Sequence, residues 1–234
     1  MKISFRHGWA MLSAAVLSLT ALPLSAVSSV TSLSAAAAAA PVVENLDRGI
    51  VAIKSGNGML VSWRFLASDP TGTEFRLYRD DQLLMTSKGD EATCFYDESG
   101  SAASRYRVDS LVNGTVQTTS TCSLISGTDY FQIPMDVPTA SDCTYSPNDC
   151  SVGDVDGDGV YELFVKWDPS NSKDNSQKGK TGNVYIDCYK LTGEKLWRID
   201  MGKNIRAGAH YTQFLVADFD GAGYAEMTCK TADG

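Results

Sequence analysis

From Asp154 the chain reads Asp-Val-Asp-Gly-Asp-Gly-Val-Tyr-Glu, and 64 residues later, from Asp218, it reads Asp-Phe-Asp-Gly-Ala-Gly-Tyr-Ala-Glu. Carboxylates at alternate positions of a tight turn converge on one centre, and the interleaved glycines permit the positive φ angles that such wrapping needs. Turn-forming Asp-Gly pairs are common. Three carboxylates in strict alternation, echoed by two of the same spacing in a second copy of the loop, call for a hard cation such as Ca²⁺ as well. A helical EF-hand is excluded, because it needs a bidentate Glu at the twelfth loop position, where this chain has Val165, and its nearest carboxylate is Glu162 at the ninth. Both loops run into short apolar, β-prone stretches rather than amphipathic helices. The expected unit is therefore an ion-binding turn between strands. In the first loop the predicted ligands are the side chains of Asp154, Asp156, Asp158 and Glu162 and the carbonyl of Val160. In the second they are Asp218, Asp220, Glu226 and the carbonyl of Tyr224; Ala222 stands where Asp158 stands in the first, so this site is expected to bind more weakly or to recruit water.

The 234 residues allow one or two domains, and a hydrophobic content of 43% suffices for an ordinary core. The first forty do not belong to that core. Lys2, Arg6 and His7 precede an apolar stretch over 9–24 and a Ser/Ala-rich run ending in Ala40, the layout of a secretory signal peptide and its cleavage region. Ser13, Ser18 and Pro23 interrupt the apolar stretch, which argues against a membrane anchor and for a secreted, extracellular product. The net charge is −8, and the leader contributes two basic residues and no acidic one, so the remainder is more acidic still and unsuited to nucleic acid. Six cysteines without a Cys-x-x-Cys pair suit an oxidising compartment better than a zinc site. Cys143 and Cys150 are expected to pair; the pairing of the other four is open.

The remaining chain changes style near residue 130. Over 41–130, alternating stretches at 58–65, 75–79, 94–96 and 105–111 are separated by close turns, among them Arg79-Asp-Asp-Gln and Val112-Asn-Gly-Thr, which predicts an antiparallel β-sandwich with Trp63, Tyr78 and Tyr106 in its core. Phe75-Arg-Leu-Tyr-Arg-Asp and Tyr106-Arg-Val resemble the fibronectin type III fold. Asn113-Gly-Thr reads equally as a hairpin turn and as a glycosylation sequon. Over 131–234, strands are predicted at 161–167, 183–190, 195–200, 211–217 and 225–230. A repeat near 64 residues is compatible with β-propeller blades carrying a long loop. Two blades cannot close a ring, so the sequence is expected to be the front part of a longer chain. No helix is predicted outside the leader.

Catalytic signatures are sparse. His210 is the sole histidine after the leader, and no Gly-x-Ser-x-Gly, His-Glu-x-x-His or phosphate loop occurs. The stretch 166–180 gathers Trp167, Asp168, Asn171, Asn175 and Lys166, Lys173, Lys178 and Lys180; it is either a solvated connection or a loop whose aromatic face, amides and ammonium groups meet an acidic sugar.

The runs Ser146-Pro-Asn-Asp-Cys-Ser-Val-Gly-Asp-Val-Asp-Gly-Asp-Gly, Lys166-Trp-Asp-Pro-Ser-Asn-Ser-Lys-Asp-Asn-Ser, Thr181-Gly-Asn-Val-Tyr, Leu196-Trp-Arg-Ile-Asp, Asn204-Ile-Arg-Ala-Gly-Ala-His-Tyr-Thr-Gln and Lys230-Thr-Ala-Asp-Gly closely resemble bacterial rhamnogalacturonan lyases of polysaccharide lyase family 11. The resemblance implies an all-β protein: a small fibronectin type III-like β-sandwich followed by the first blades of a calcium-binding β-propeller, eight-bladed in the family. It implies a secreted, monomeric enzyme that cleaves the rhamnose-galacturonate backbone of pectic rhamnogalacturonan I by β-elimination. It further implies Asn148 and Asp168 as substrate-binding residues, with the catalytic base expected beyond Gly234 and the chain inactive alone. Ala222 departs from the family's usual third Asp. Integrin-like propellers use similar Asp loops to brace blades without catalysis, and the 166–180 loop with Asn148 is what distinguishes a sugar cleft from such a brace.

Overall fold

The computed structural model describes residues 44–208 and 211–233, all of it strand, turn and loop. The expectation of a signal peptide over 1–40 and the residue His210 lie outside the described residues.

Two four-stranded sheets form the first layer pair. One has the order β5-β2-β1-β8, from β1 (Val51–Ser55), β2 (Gly58–Ser62), β5 (Cys94–Asp97) and the short β8 (Leu124–Ser126). The other has the order β4-β3-β6-β7, from β3 (Glu74–Arg79), β4 (Gln82–Lys88), β6 (Tyr106–Val112) and β7 (Thr115–Thr121). Pairing is antiparallel except between β1 and β8. The hairpin turns explain themselves locally: Asp80 and Asp81 (φ 48° and 66°) and Asn113 and Gly114 (φ 50° and 78°) put two consecutive residues at positive φ, which matches the right-handed twist of the flanking strands. Alternation then aims Ala52, Met59 and Val61 of one sheet at Phe75, Leu77, Tyr106 and Val108 of the other, with Trp63 edge-on to Phe75 at 6.1 Å. Tyr78 does not join this core as the sequence suggested. It falls on the opposite face of β3 from Leu77, half-buried, under the Arg107 guanidinium at 4.2 Å.

The next four strands, β9 (Tyr145–Gly153), β10 (Glu162–Pro169), β11 (Tyr185–Tyr189) and β12 (Lys195–Asp200), form an antiparallel meander in which each pairs with its sequence neighbour, the form of a propeller blade. A hairpin of β13 (Phe214–Ala217) and β14 (Glu226–Cys229) follows. The Asp loops join β9 to β10 and β13 to β14, the same place in successive units. Strand β9 was not legible in the sequence, because Ser146-Pro-Asn-Asp reads as a turn. It is an edge strand, where the missing N–H of Pro147 costs little.

That strand also overturns the expected Cys143–Cys150 bond. The extended backbone from Tyr145 to Cys150 spans roughly 16 Å, far more than the Cα separation a disulfide bridges. All six cysteines are free thiols, with the Cys150 Sγ near the Asn148 carbonyl and burial pushing the Cys188 thiol up to about 12.

The stretch 44–48 ties sandwich to blade. Asn45 N–H donates to the Gly223 carbonyl and Asp47 N–H to the Gly159 carbonyl, both at 3.0 Å, and the Arg64 guanidinium lies over the Tyr161 ring at 4.1 Å.

Candidate metal centres and the face of the first blade

Each Asp loop is shaped by its own leading carboxylate. Asp154 is fully buried and accepts from the N–H groups of Gly157 (2.7 Å), Asp158 (3.2 Å) and Gly159 (2.8 Å); Glu162 reaches back to the Val155 N–H at 2.9 Å. In the second loop Asp218 accepts from Gly221 (2.7 Å), Ala222 (3.1 Å) and Gly223 (2.9 Å), and Glu226 from Phe219 at 2.8 Å. The backbone is thus the same with or without an Asp at the third carboxylate position. Oxygens of Asp154, Asp156 and Glu162 lie within 4.8 Å of one another, as do those of Asp218, Asp220 and Glu226. Three converging carboxylates form an all-oxygen donor set that fits a hard cation.

The predicted ligand Asp158 is not brought into the first cluster. Its Oδ1 accepts from Val160 N–H at 2.8 Å, while its Oδ2 lies 3.4 Å from the Lys190 ammonium. The same ammonium sits 2.5 Å from Asp156 and holds that carboxyl below its ordinary range. Burial, reinforced by the Asp156 and Asp158 charges, pushes Glu162 the other way. The carbonyl carriers Val160 and Tyr224 lie in their loops as the spacing predicts, half-buried and exposed.

On the blade, one face of β10 carries Leu163, Val165 and Trp167, which pack with Tyr189. Trp167 is 1% exposed and its indole N–H donates to Asp187 at 2.7 Å, so it is a core residue and not the aromatic platform the sequence suggested. Asp187 also accepts from Tyr189 OH and from Arg198, each at 2.7 Å, binding β10, β11 and β12 together.

The other face carries Lys166 and Asp168. Val165 pairs with Cys150 and Trp167 with Pro147, so Lys166 alone stands opposite both Asn148 and Asp149. This β-bulge turns the two residues toward the face of Lys166 and Asp168. The two predicted substrate residues, Asn148 on β9 and Asp168 on β10, therefore share one face near the end of the blade. Asn148 is exposed; Asp168 is half-buried and accepts from the Ser172 hydroxyl at 3.0 Å. Sequence reasoning missed Asp149, which pairs with the Lys166 ammonium. It also ended the strand at Trp167, whereas β10 runs on to Pro169.

The loop at 170–180 is ordered from outside itself. Arg206 donates to the carbonyls of Lys173, Asp174, Gln177 and Gly179 at 2.5–3.3 Å, and Asn171 accepts from Gly182 N–H at 2.7 Å. Lys178, Lys180 and Asn175 remain exposed.

Comparison with known proteins follows the same division. The family described as "Rhamnogalacturonan I lyases beta-sheet domain" matches residues 41–124, and "Rhamnogalacturonan lyase family 11, C-terminal domain" matches 130–234. The rhamnogalacturonan endolyase YesW of Bacillus subtilis (strain 168) is 54% identical over 202 residues, and the rhamnogalacturonan exolyase YesX of the same organism 48% identical over 198. These alignments cover 84% and 82% of this chain and 32% of each relative, so the chain spans about a third of their length. The crystal structure of YesW superposes with a TM-score of 0.75 over 84% of this chain and 34% of that one; the Bacillus licheniformis rhamnogalacturonan lyase PL11, 48% identical, superposes with 0.70 over 83% and 34%. By fold, motif and these matches, the chain belongs to rhamnogalacturonan lyase family 11.

Proposed function

We propose that the protein bearing these residues is a secreted, monomeric lyase that cleaves the backbone of pectic rhamnogalacturonan I by β-elimination, with calcium as its resident ion. The observation that supports this reading is the register of the β-bulge, in which Asn148 stands opposite Lys166 on the strand face that also carries Asp168. An amide and a carboxylate so placed donate to and accept from sugar hydroxyls and fix the register of the polysaccharide. β-Elimination from a uronate needs its carboxylate neutralised so that the C5 proton becomes acidic, a base to take that proton, and departure of the oxygen linked at C4. The residues described here bind and orient; none is assigned the role of base.

Calcium fits both carboxylate clusters by donor type, and in this reading it braces. Asn148 lies in β9 and Asp154 just past its end, six residues on and roughly 20 Å away along an extended strand, so an ion in the first loop sits well away from Asn148. Its charge would offset the three carboxylates that hold the β9–β10 turn.

The test is unsaturated-uronate absorbance on rhamnogalacturonan I, using the full-length gene product with calcium and with chelator. Product formation that needs a several-fold higher substrate concentration in Asn148→Ala and Asp168→Ala is expected. A folded, calcium-loaded protein that yields none would overturn the reading and leave a calcium-braced binding propeller. Similarity to both an endolyase and an exolyase gives neither mode precedence, and product length distribution decides between them.

A further inference from the structure

Lys166 is 2% exposed, and burying an ammonium costs several kcal/mol unless it is well paired. Its Nζ donates to the Asp149 carboxylate and, at 3.2 Å, to the Tyr211 carbonyl. A Met of similar volume would fill the same space without the desolvation cost, so packing alone does not account for a lysine here. The placement does. Asp149 is one half of the bulge whose other half is Asn148, and Lys166 is the residue opposite both. The Tyr211 carbonyl belongs to the segment entering β13, which is also fixed: the Tyr211 hydroxyl donates to Asp174 at 3.3 Å, and Thr212 holds φ at 58°, a costly angle for a β-branched residue. The ammonium thus fastens the bulge of the edge strand to the next unit of the fold.

We propose that Lys166 is a positioning residue for polysaccharide binding: by clamping Asp149 it holds the bulge in the arrangement that presents the Asn148 amide on the face that carries Asp168. This rests on the reading of Asn148 and Asp168 as substrate ligands. Edge strands slip and bulges relax where nothing pins them, and two exposed residues opposite one would otherwise be free to do both.

The experiment uses the full-length enzyme on rhamnogalacturonan I, with Lys166→Met, Asp149→Ala, Asn148→Ala and the double variant Lys166→Met/Asn148→Ala. Lys166→Met is expected to raise KM about tenfold while kcat changes less than about threefold. In the Asn148→Ala background the same substitution is expected to add little, since there is no amide left to aim. Equal factors in both backgrounds would overturn the proposal, because the lysine would then act without Asn148. Should Lys166→Met fail to fold, Asp149→Ala, at an exposed position, must reproduce the rise in KM, and an unchanged KM overturns the proposal. Backbone amide exchange over 148–150 reads the clamp without substrate. It should accelerate at least about tenfold in Asp149→Ala, and unchanged protection counts against the clamp. A wild-type enzyme with no lyase activity overturns the functional reading itself and this role with it, an outcome distinct from an active enzyme with additive variants.

Discussion

Within each Asp loop the carboxylate that shapes the backbone differs from the one that decorates it. Asp154 accepts three backbone N–H groups inside the loop, whereas Asp158 points toward Lys190, outside the three-carboxylate cluster. Asp158→Ala gives the first loop the carboxylates of the second. Calorimetric titration of calcium should show its affinity changed by less than about threefold, whereas Asp156→Ala should cost tenfold or more. The two glycines of the first loop separate conformation from contact. Both hold positive φ, 76° at Gly157 and 85° at Gly159, but an alanine Cβ at Gly157 would meet open space, while one at Gly159 would lie 3.0 Å from Asp47 N and 3.3 Å from the Asn45 carbonyl. Urea denaturation should find Gly157→Ala about 1 kcal/mol less stable and Gly159→Ala about 2–3 kcal/mol less stable, the excess being the crowding of the 44–48 stretch. Equal losses would mean that this stretch yields freely.

At the level of elements, the first blade is held by one buried carboxylate. Asp187 is fully buried and receives Trp167, Tyr189 and Arg198 from three adjacent strands. Asp187→Ala would strand these donors and leave Arg198 without its main partner. A loss of about 3–5 kcal/mol is expected by chemical denaturation, enough to unfold a marginal domain. Arg206 does for a loop what Asp187 does for a sheet. Its guanidinium gathers four carbonyls of 173–179, a span that the sequence left undecided between linker and binding loop. Arg206→Ala should make that span the first site of limited proteolysis, with Arg206→Lys restoring part of the resistance because one ammonium cannot serve four spread acceptors.

For the whole molecule, the two Asp loops double as joints. The stretch 44–48 donates to the first loop through Asp47 and to the second through Asn45, and Ala225 N–H donates to the Asp154 carbonyl. An ion that stiffens either loop therefore stiffens the seam between sandwich and blade. At a calcium concentration about a hundred times the dissociation constant, binding contributes about 2.7 kcal/mol. Scanning calorimetry should accordingly show chelation lowering the melting midpoint by roughly 5–10 °C. A midpoint indifferent to chelator would show that the hydrogen bonds of the loops suffice.

Much of this was written locally, and local physics is why it could be read. Asp-Gly alternation determines the turn within nine residues; paired positive-φ residues such as Asn113-Gly114 determine hairpins; period-two alternation in 75–79 determines a strand that buries one face. None of these depends on a distant partner. What needed the tertiary structure was every choice between equivalent options. Trp167 and Lys166 both read as members of a solvated or sugar-facing stretch, yet both are buried, because the strand that carries them is covered on both faces. The strand bearing Pro147 and Asn148 has no apolar alternation to announce it and exists because β10 offers an edge to pair with. Cys143 and Cys150 stand close in sequence and are held apart by that same extended strand. Asn148 and Asp168 share a face only because a bulge inserts one extra residue opposite Lys166, a count fixed by cross-strand register, which no single strand carries in its own sequence.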